Sequence, residues 1–332
     1  MKEEHLKLMI CPKCKNDLEL FNIECGENDR IKSGELRCNN CGLGYPITDY
    51  IPRFVNLDNY ANNFGLEWTK HARTQYDSYS GSNVSETRFF EETKWERDLS
   101  GQYILEVGSG SGRFTEQAVS TGATVVSIDY SYAVEVNYTF NGRRNNILIV
   151  QADIFNLPFR EGFFDKLFCF GVLQHTPDPY RAFLLLPAYL KKGGDIAMDV
   201  YKKVEGLRGL LQTKYWVRPL ATKLSPAVLY KISSKYVKLM WPISGLIHQL
   251  PYGRRINWAL LIADYRGVYN LKEEILKEWA ILDTFDMLSP IYDNPQTLEA
   301  VRGWFDEAHL NDIEVCYGYN GIEGRGKKAY TK

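Results

Sequence analysis

No apolar run in this 332-residue sequence reaches the ~18 residues that a membrane-spanning helix requires, which excludes a helical integral membrane architecture. An excess of one charge is missing too. There are 40 Lys and Arg against 41 Asp and Glu, a net charge of −1, which argues against a protein that coats nucleic acid over its whole surface. Internal repeats and low-complexity tracts are absent, and 45% hydrophobic with 24% charged residues excludes wholesale disorder and fibrous architectures. The opening MKEEHLKLMICPKC has acidic residues and only a short apolar stretch, unlike a secretory signal, so the expected location is cytoplasmic. Seven cysteines make an odd number, and four of them form two C-x-x-C pairs. In a reducing compartment that pattern is metal ligation rather than a disulfide framework.

Length suggests about two domains, and composition divides the chain into four stretches. Residues 1–56 are rich in Cys, Gly and Pro, a small metal-organised module. Residues 57–200 open with a polar, aromatic segment and a helix expected from Ser85 to Leu99. They then alternate helical segments with short apolar strands at 103–107, 124–128, 147–151, 165–170 and 194–200. That alternation predicts a doubly wound α/β fold with a Rossmann-like, mostly parallel sheet. Residues 201–285 read as a basic helical insertion: eleven Lys/Arg against Glu205 over 201–255 give +10, so the rest of the chain carries −11. In residues 286–332, a helix at 297–310 precedes strands at 312–318 and 327–331. The Asn320–Gly321 turn signal separates these strands, which form an antiparallel pair completing seven.

Cys11-Pro-Lys-Cys14 and Cys38-Asn-Asn-Cys41 stand 23 residues apart. Two such turns facing each other supply a closed four-thiolate tetrahedral site, so Zn2+ bound there would be structural. A module of this size buries little apolar surface, and zinc contributes ~10–16 kcal/mol in comparable peptides. Cys25 is the spare. With Tyr45-Pro46-Ile47 following, the module resembles the small zinc-ribbon activator subunit of several tRNA and protein methyltransferases, here fused in cis.

The strongest motif is Glu106-Val107-Gly108-Ser109-Gly110-Ser111-Gly112-Arg113, at the end of the first sheet strand and opening a helix. Glycines there let the backbone turn tightly and approach a ligand closely. A dinucleotide loop would need its third glycine one place later, where this chain has Arg113. The spacing instead resembles motif I of class I S-adenosylmethionine-dependent methyltransferases. Asp129 and Asp153 end the next two strands. The first can accept ribose hydroxyls, and the second matches the family position for the adenine amino group. Tyr130 and Ile154 follow those acids and join the expected cofactor set with Ser109. Phe170-Gly171-Val172-Leu173-Gln174-His175-Thr176-Pro177-Asp178-Pro179 resembles the post-strand segment of the ubiquinone/menaquinone-methyltransferase-like branch. That resemblance implies cofactor contacts at Phe170 and Gly171, and pairing of Arg88 with the cofactor's methionyl carboxylate.

Methyl transfer to an oxygen requires a base, and His175 on the loop after the fourth strand is the candidate, against a role in shaping that loop. Asp283, Asp286 and Tyr292, on an acid-rich aromatic segment expected as a loop, are the acceptor-side candidates. The tail resembles methyltransferases of surface-polysaccharide and natural-product assembly. The expected reaction is therefore O-methylation of a sugar-containing, lipid-linked or natural-product small molecule. Alternatives are an RNA methyltransferase contacting RNA through the ribbon and basic insertion, and a non-catalytic adaptor. Residues 201–255 are either a lid with a solvated lysine face or a peripheral contact with the inner membrane surface.

Overall fold

A computed structural model describes residues 1–55, 59–206, 209 and 212–330. The chain divides into two compact units, Met1–Asn59 with Arg88–Lys202 and Tyr292–Lys332, and Tyr60–Thr87 with Lys203–Ile291.

The first unit contains two sheets. Strands β1 (Leu18–Cys25), β2 (Ile31–Cys38), β3 (Gly44–Thr48) and β4 (Ile51–Pro52) form an antiparallel sheet in sequential order. The larger sheet is built from β5 (Tyr103–Val107), β6 (Thr124–Asp129), β7 (Ile147–Gln151), β8 (Phe164–Cys169), β9 (Leu190–Val200), β10 (Leu310–Tyr317) and β11 (Ile322–Lys328). Its order is β10-β11-β9-β8-β5-β6-β7, with β5 to β9 parallel and β11 antiparallel to both neighbours. Chain order reverses between β5 and β8, which places a topological switch point at the carboxyl end of β5.

The parallel strands are apolar on both sides because both faces are covered. Leu105, Val126, Leu148 and Leu167 face one core, and their neighbours Ile104, Val125, Ile149 and Phe168 face the other. The first core is shared with the small sheet: Leu8, Met9, Ile31 and Leu36 pack into it. Arg30 locks the join, donating to the carbonyls of Gly142, Arg143 and Arg144 just past the helix Val134–Asn141, where a cation meets the negative end of the helix dipole.

The last strand pairs earlier than the sequence suggested. The turn at Asn320–Gly321 is tight enough for Tyr317 to face Ile322, so β11 ends at Lys328. Of the expected 327–331 strand, Thr331 lies outside the described residues.

The second unit is helical: Asn62–Lys70, Lys214–Ala221, Pro226–His248, Gly253–Ala259 and Glu273–Asp286. Val237 and Trp241 of the long helix pack on Leu276 and Ala280, and Leu229 packs with Phe285. The insertion expected over 201–285 thus also draws in residues 60–87. His71 bonds the Tyr230 hydroxyl at 3.0 Å, and Thr74 donates to Glu278 at 2.5 Å, tying that earlier segment to the later helices. Arg208, counted in the basic stretch, lies outside the described residues. No helix among the described residues is long and apolar enough to cross a membrane.

Candidate functional site

At the carboxyl end of β5 the chain bends through Gly108, Ser109, Gly110, Ser111 and Gly112 before the helix Arg113–Ser120. The bend is pinned by Gly108 and Ser109 N–H donating to the Ile128 carbonyl at 2.8 and 2.9 Å. Two positions require glycine. Gly108 has φ +81°, and a Cβ there would lie 2.1 Å from Val172 Cγ2. Gly112 has φ +96°, and its Cβ would lie 2.2 Å from Asn137 Oδ1. Both conformations are disfavoured for residues with side chains.

Asp129, at the end of β6, accepts the Gly110 N–H at 2.8 Å on one carboxylate oxygen, and the Ser131 N–H and hydroxyl on the other. Burial pushes its pKa above the usual aspartate value despite those donors. Tyr130 contributes its carbonyl, which accepts from Gln151 at 3.1 Å and Asn59 at 3.0 Å. Asp153, just past β7, accepts the Phe155 N–H at 2.9 Å, burial raises its pKa, and Ile154 beside it is buried. The structure therefore gathers the glycine bend, Asp129, Tyr130 and Asp153 at one edge of the sheet.

Glu106 is turned inward. Its carboxylate accepts the Thr115 hydroxyl at 2.5 Å, and Asn137 donates to Thr115 and Ser127, which lie beside it. Burial lifts Glu106 to about 7, with the Ser127 and Thr115 hydroxyls pulling the other way. Asn141 continues the network to the Gly112 carbonyl at 3.1 Å. Glu106 thus supports the bend from beneath.

Arg88 is held by two carboxylates. Its Nε donates to Glu92 at 2.5 Å and its Nη2 to Asp199, which also accepts the Gly171 N–H at 2.5 Å. Burial raises Glu92 to about 8, with Arg88 opposing. Phe170 is buried, its ring edge-on to Phe114 at 5.4 Å.

His175 lies in the short turn Leu173–His175 and is buried. Its Nδ1 sits 3.0 Å from the Tyr292 carbonyl, and its ring meets Tyr201 edge-on. A carbonyl only accepts, so Nδ1 carries a hydrogen, and in the neutral form of the ring the lone pair is on Nε2. Asn294 latches the same loop through its N–H to the Gln174 carbonyl and its amide to the Thr176 carbonyl, at 2.8 and 2.9 Å.

Of the acceptor-side candidates, Tyr292 adjoins His175 in the first unit. Asp283 and Asp286 are in the last turn of the helix Glu273–Asp286 in the second unit, where Asp283 accepts the Tyr265 hydroxyl. The loop expected at 283–293 is therefore helical up to Asp286, because Leu282 and Phe285 bury against the unit's interior.

Two features carried no sequence signal of their own. Gln174 is fully buried, and neither amide atom has a hydrogen-bond partner among the described residues, a costly arrangement in an interior. Arg53 leaves the small sheet to bond Gln151 and Glu135, both at 2.9 Å, beside the Asp129 turn.

The four thiols of Cys11, Cys14, Cys38 and Cys41 lie within 4.8 Å of one another. Two of the pairs stand at 3.3 and 3.6 Å. Zinc–thiolate bonds of ~2.3 Å in a tetrahedron require sulfur separations of roughly 3.8 Å, so the donor set fits Zn2+ after small adjustments. Cys25 is exposed and takes no part in the cluster.

Comparison with known proteins agrees with both halves of this picture. Residues 105–198 match a family described as methyltransferase domain, and residues 2–49 match one described as Trm112p-like protein. The tRNA U34 carboxymethyltransferase of Campylobacter hominis is 28% identical over 105 residues, 31% of this chain and 37% of that protein. The ubiquinone biosynthesis O-methyltransferase of Xanthomonas oryzae pv. oryzae is 28% identical over 109 residues, 32% of this chain and 46% of that protein. An uncharacterized chloroplastic methyltransferase of Arabidopsis thaliana is 23% identical over 252 residues, 68% of this chain and 70% of that protein. The chain thus spans less than half the length of the first two.

Proposed function

We propose that this chain, which joins a Trm112p-like domain to a class I methyltransferase domain, transfers a methyl group from S-adenosylmethionine to a hydroxyl of a small molecule. The observation that carries this reading is the bend at Gly108–Gly112 with Gly110 N–H resting on Asp129, within the segment that matches the methyltransferase domain. Bare main chain at Gly108 leaves room for close approach by a nucleoside. Asp129 is placed to accept ribose hydroxyls and Asp153 the adenine amino group. When bound, S-adenosylmethionine supplies an electrophilic sulfonium methyl, so the protein's share is alignment, water exclusion and proton removal.

In this mechanism His175 Nε2 takes the acceptor's hydroxyl proton as the new carbon–oxygen bond forms, while Nδ1–H stays on the Tyr292 carbonyl and fixes the ring. Arg88 meets the cofactor's carboxylate by giving up Glu92 or Asp199 for it. The four cysteines would hold a structural zinc outside the reaction.

The small-molecule acceptor is supported by the O-methyltransferase relative and by the buried setting of His175. The relatives' names point to a quinone pathway and to tRNA. The sugar-containing acceptor expected from the tail has no counterpart among them and is not carried forward. A second reading, methylation of RNA, is favoured by the tRNA-modifying relative and by the Trm112p-like domain.

Radiolabelled methyl transfer into fractionated cell extract separates the two readings. Label in the small-molecule or lipid fraction that falls ~100-fold or more with His175→Gln, at unchanged S-adenosylhomocysteine affinity, is expected. Label confined to RNA moves the assignment to the second reading. Label in neither fraction, from protein that binds the cofactor product, overturns both.

A further inference from the structure

We propose that the outer face of the helix Pro226–His248 binds the surface of an anionic lipid bilayer. The sequence from Gly206 to Ala263 carries nine Lys/Arg and no Asp or Glu. Within it the structure divides the long helix sharply. Leu229, Val237 and Trp241 face the interior of the helical unit. On the opposite side Leu239 is 74% and Leu246 68% exposed, with Ile232 and Ile243 also exposed. At about 100° per residue these four side chains fall within roughly 60° of one another, a single stripe along the helix. Lys231, Lys235 and Lys238 lie along one edge of that stripe, exposed and without ion pairs among the described residues.

Apolar side chains scattered over a surface are ordinary, but an aligned aliphatic stripe with a lysine border is not. The neighbouring helix Lys214–Ala221 adds Trp216 and Leu220, 65% and 71% exposed. Hydrogen bonds from Thr213 to the Ala259 carbonyl and from Tyr236 to the Leu260 carbonyl, both at 2.6 Å, join these helices around the helix Gly253–Ala259.

Charge and shape select the partner. A second copy of the chain would bring unpaired lysines together across a two-fold axis. RNA is gripped through phosphates and stacked bases, for which an aliphatic stripe offers nothing. An anionic bilayer interface satisfies both parts at once: the stripe enters the acyl boundary while lysines and the indole of Trp216 remain among the headgroups. This binding does not depend on the methyl-transfer reading, although it would deliver the enzyme to acceptors that reside in lipid.

Co-sedimentation of the full chain with vesicles of phosphatidylcholine alone, or mixed with phosphatidylglycerol, tests the proposal. Binding to the anionic vesicles that weakens with salt is expected. Combining Lys231→Glu, Lys235→Glu and Lys238→Glu should lower partitioning at least ~100-fold, at roughly fivefold per lysine removed. Leu239→Ser with Leu246→Ser should also lower it ~100-fold or more. Both variants alter exposed side chains, so melting within about 2 °C of the parent confirms an intact fold. Failure to sediment with anionic vesicles, equal binding to both vesicle types, or partitioning unmoved by either variant overturns the proposal. So does light scattering that shows a dimer which the double serine variant dissociates, or release from vesicles by an RNA homopolymer.

Discussion

Replacing Gly108 by alanine adds one methyl group where the bend passes Val172. Two costs can be read from the structure. At φ +81° a side chain costs about 1–2 kcal/mol. The new Cβ would also sit 2.1 Å from Val172 Cγ2 and 2.9 Å from Cγ1, so Val172 or the bend must move. Overpacking of this kind costs a further ~1–3 kcal/mol. If the cofactor needs the bend as it stands, the sum of ~2–5 kcal/mol appears in binding as a loss of roughly 30- to 4,000-fold. Calorimetry with S-adenosylhomocysteine reads that loss directly. A double-mutant cycle with Val172→Ala isolates the steric part, because removing both γ-carbons leaves the conformational cost and only a residual contact with Val172 Cβ at 3.0 Å. Gly108→Ala/Val172→Ala should recover about fivefold or more over Gly108→Ala alone. Unchanged affinity in Gly108→Ala, or a double variant no better than the single, would refute the close approach of the two loops as the reason for glycine.

Glu106 gives a pH signature. Burial holds its folded pKa at about 7, above its unfolded value, so the folded state binds the extra proton between about 4.5 and 7 and stability falls as pH rises through that window. Glu106→Gln should be more stable than the parent by about 3 kcal/mol at pH 8 and not at pH 4, checked by urea denaturation at both values. Cys38→Ser should release the metal and lower the melting temperature by ~5 °C or more, since the small sheet shares its core with the large one; metal analysis of the parent should find one zinc per chain. Gln174→Met removes two unpartnered buried amide atoms at similar volume. It should raise stability by ~1–2 kcal/mol in urea denaturation, and an unchanged or lower stability would contradict the cost assigned to those atoms.

What the sequence made legible was local. Strands β5 to β9 could be placed within a few residues because each is a short apolar run beside a helical segment, and the antiparallel close followed from Asn320–Gly321. The glycine bend is likewise a contiguous motif, and the cysteine cluster is two short C-x-x-C turns, whose spacing states their geometry. The parts that escaped depend on partners distant along the chain. Arg88 meets Asp199 across 111 residues, and no pattern near either residue announces the other. Arg30 and Arg53 dock the small sheet through carbonyls and side chains about a hundred residues away. Residues 60–87 join the helical unit because His71 and Thr74 find Tyr230 and Glu278, which composition could not disclose. Asp283 and Asp286 read as loop residues because their own side chains are polar, whereas the burial of Leu282 and Phe285, each next to one of them, makes the segment helical.

The most direct measurement is isothermal calorimetry of the purified chain with S-adenosylhomocysteine, run beside NAD. One S-adenosylhomocysteine per chain, abolished by Gly110→Arg while the zinc is retained, with no heat from NAD, is the expected result. An absence of S-adenosylhomocysteine binding by the folded, zinc-loaded protein, or preferential binding of NAD, would contradict a methyl-donor site at the carboxyl end of β5.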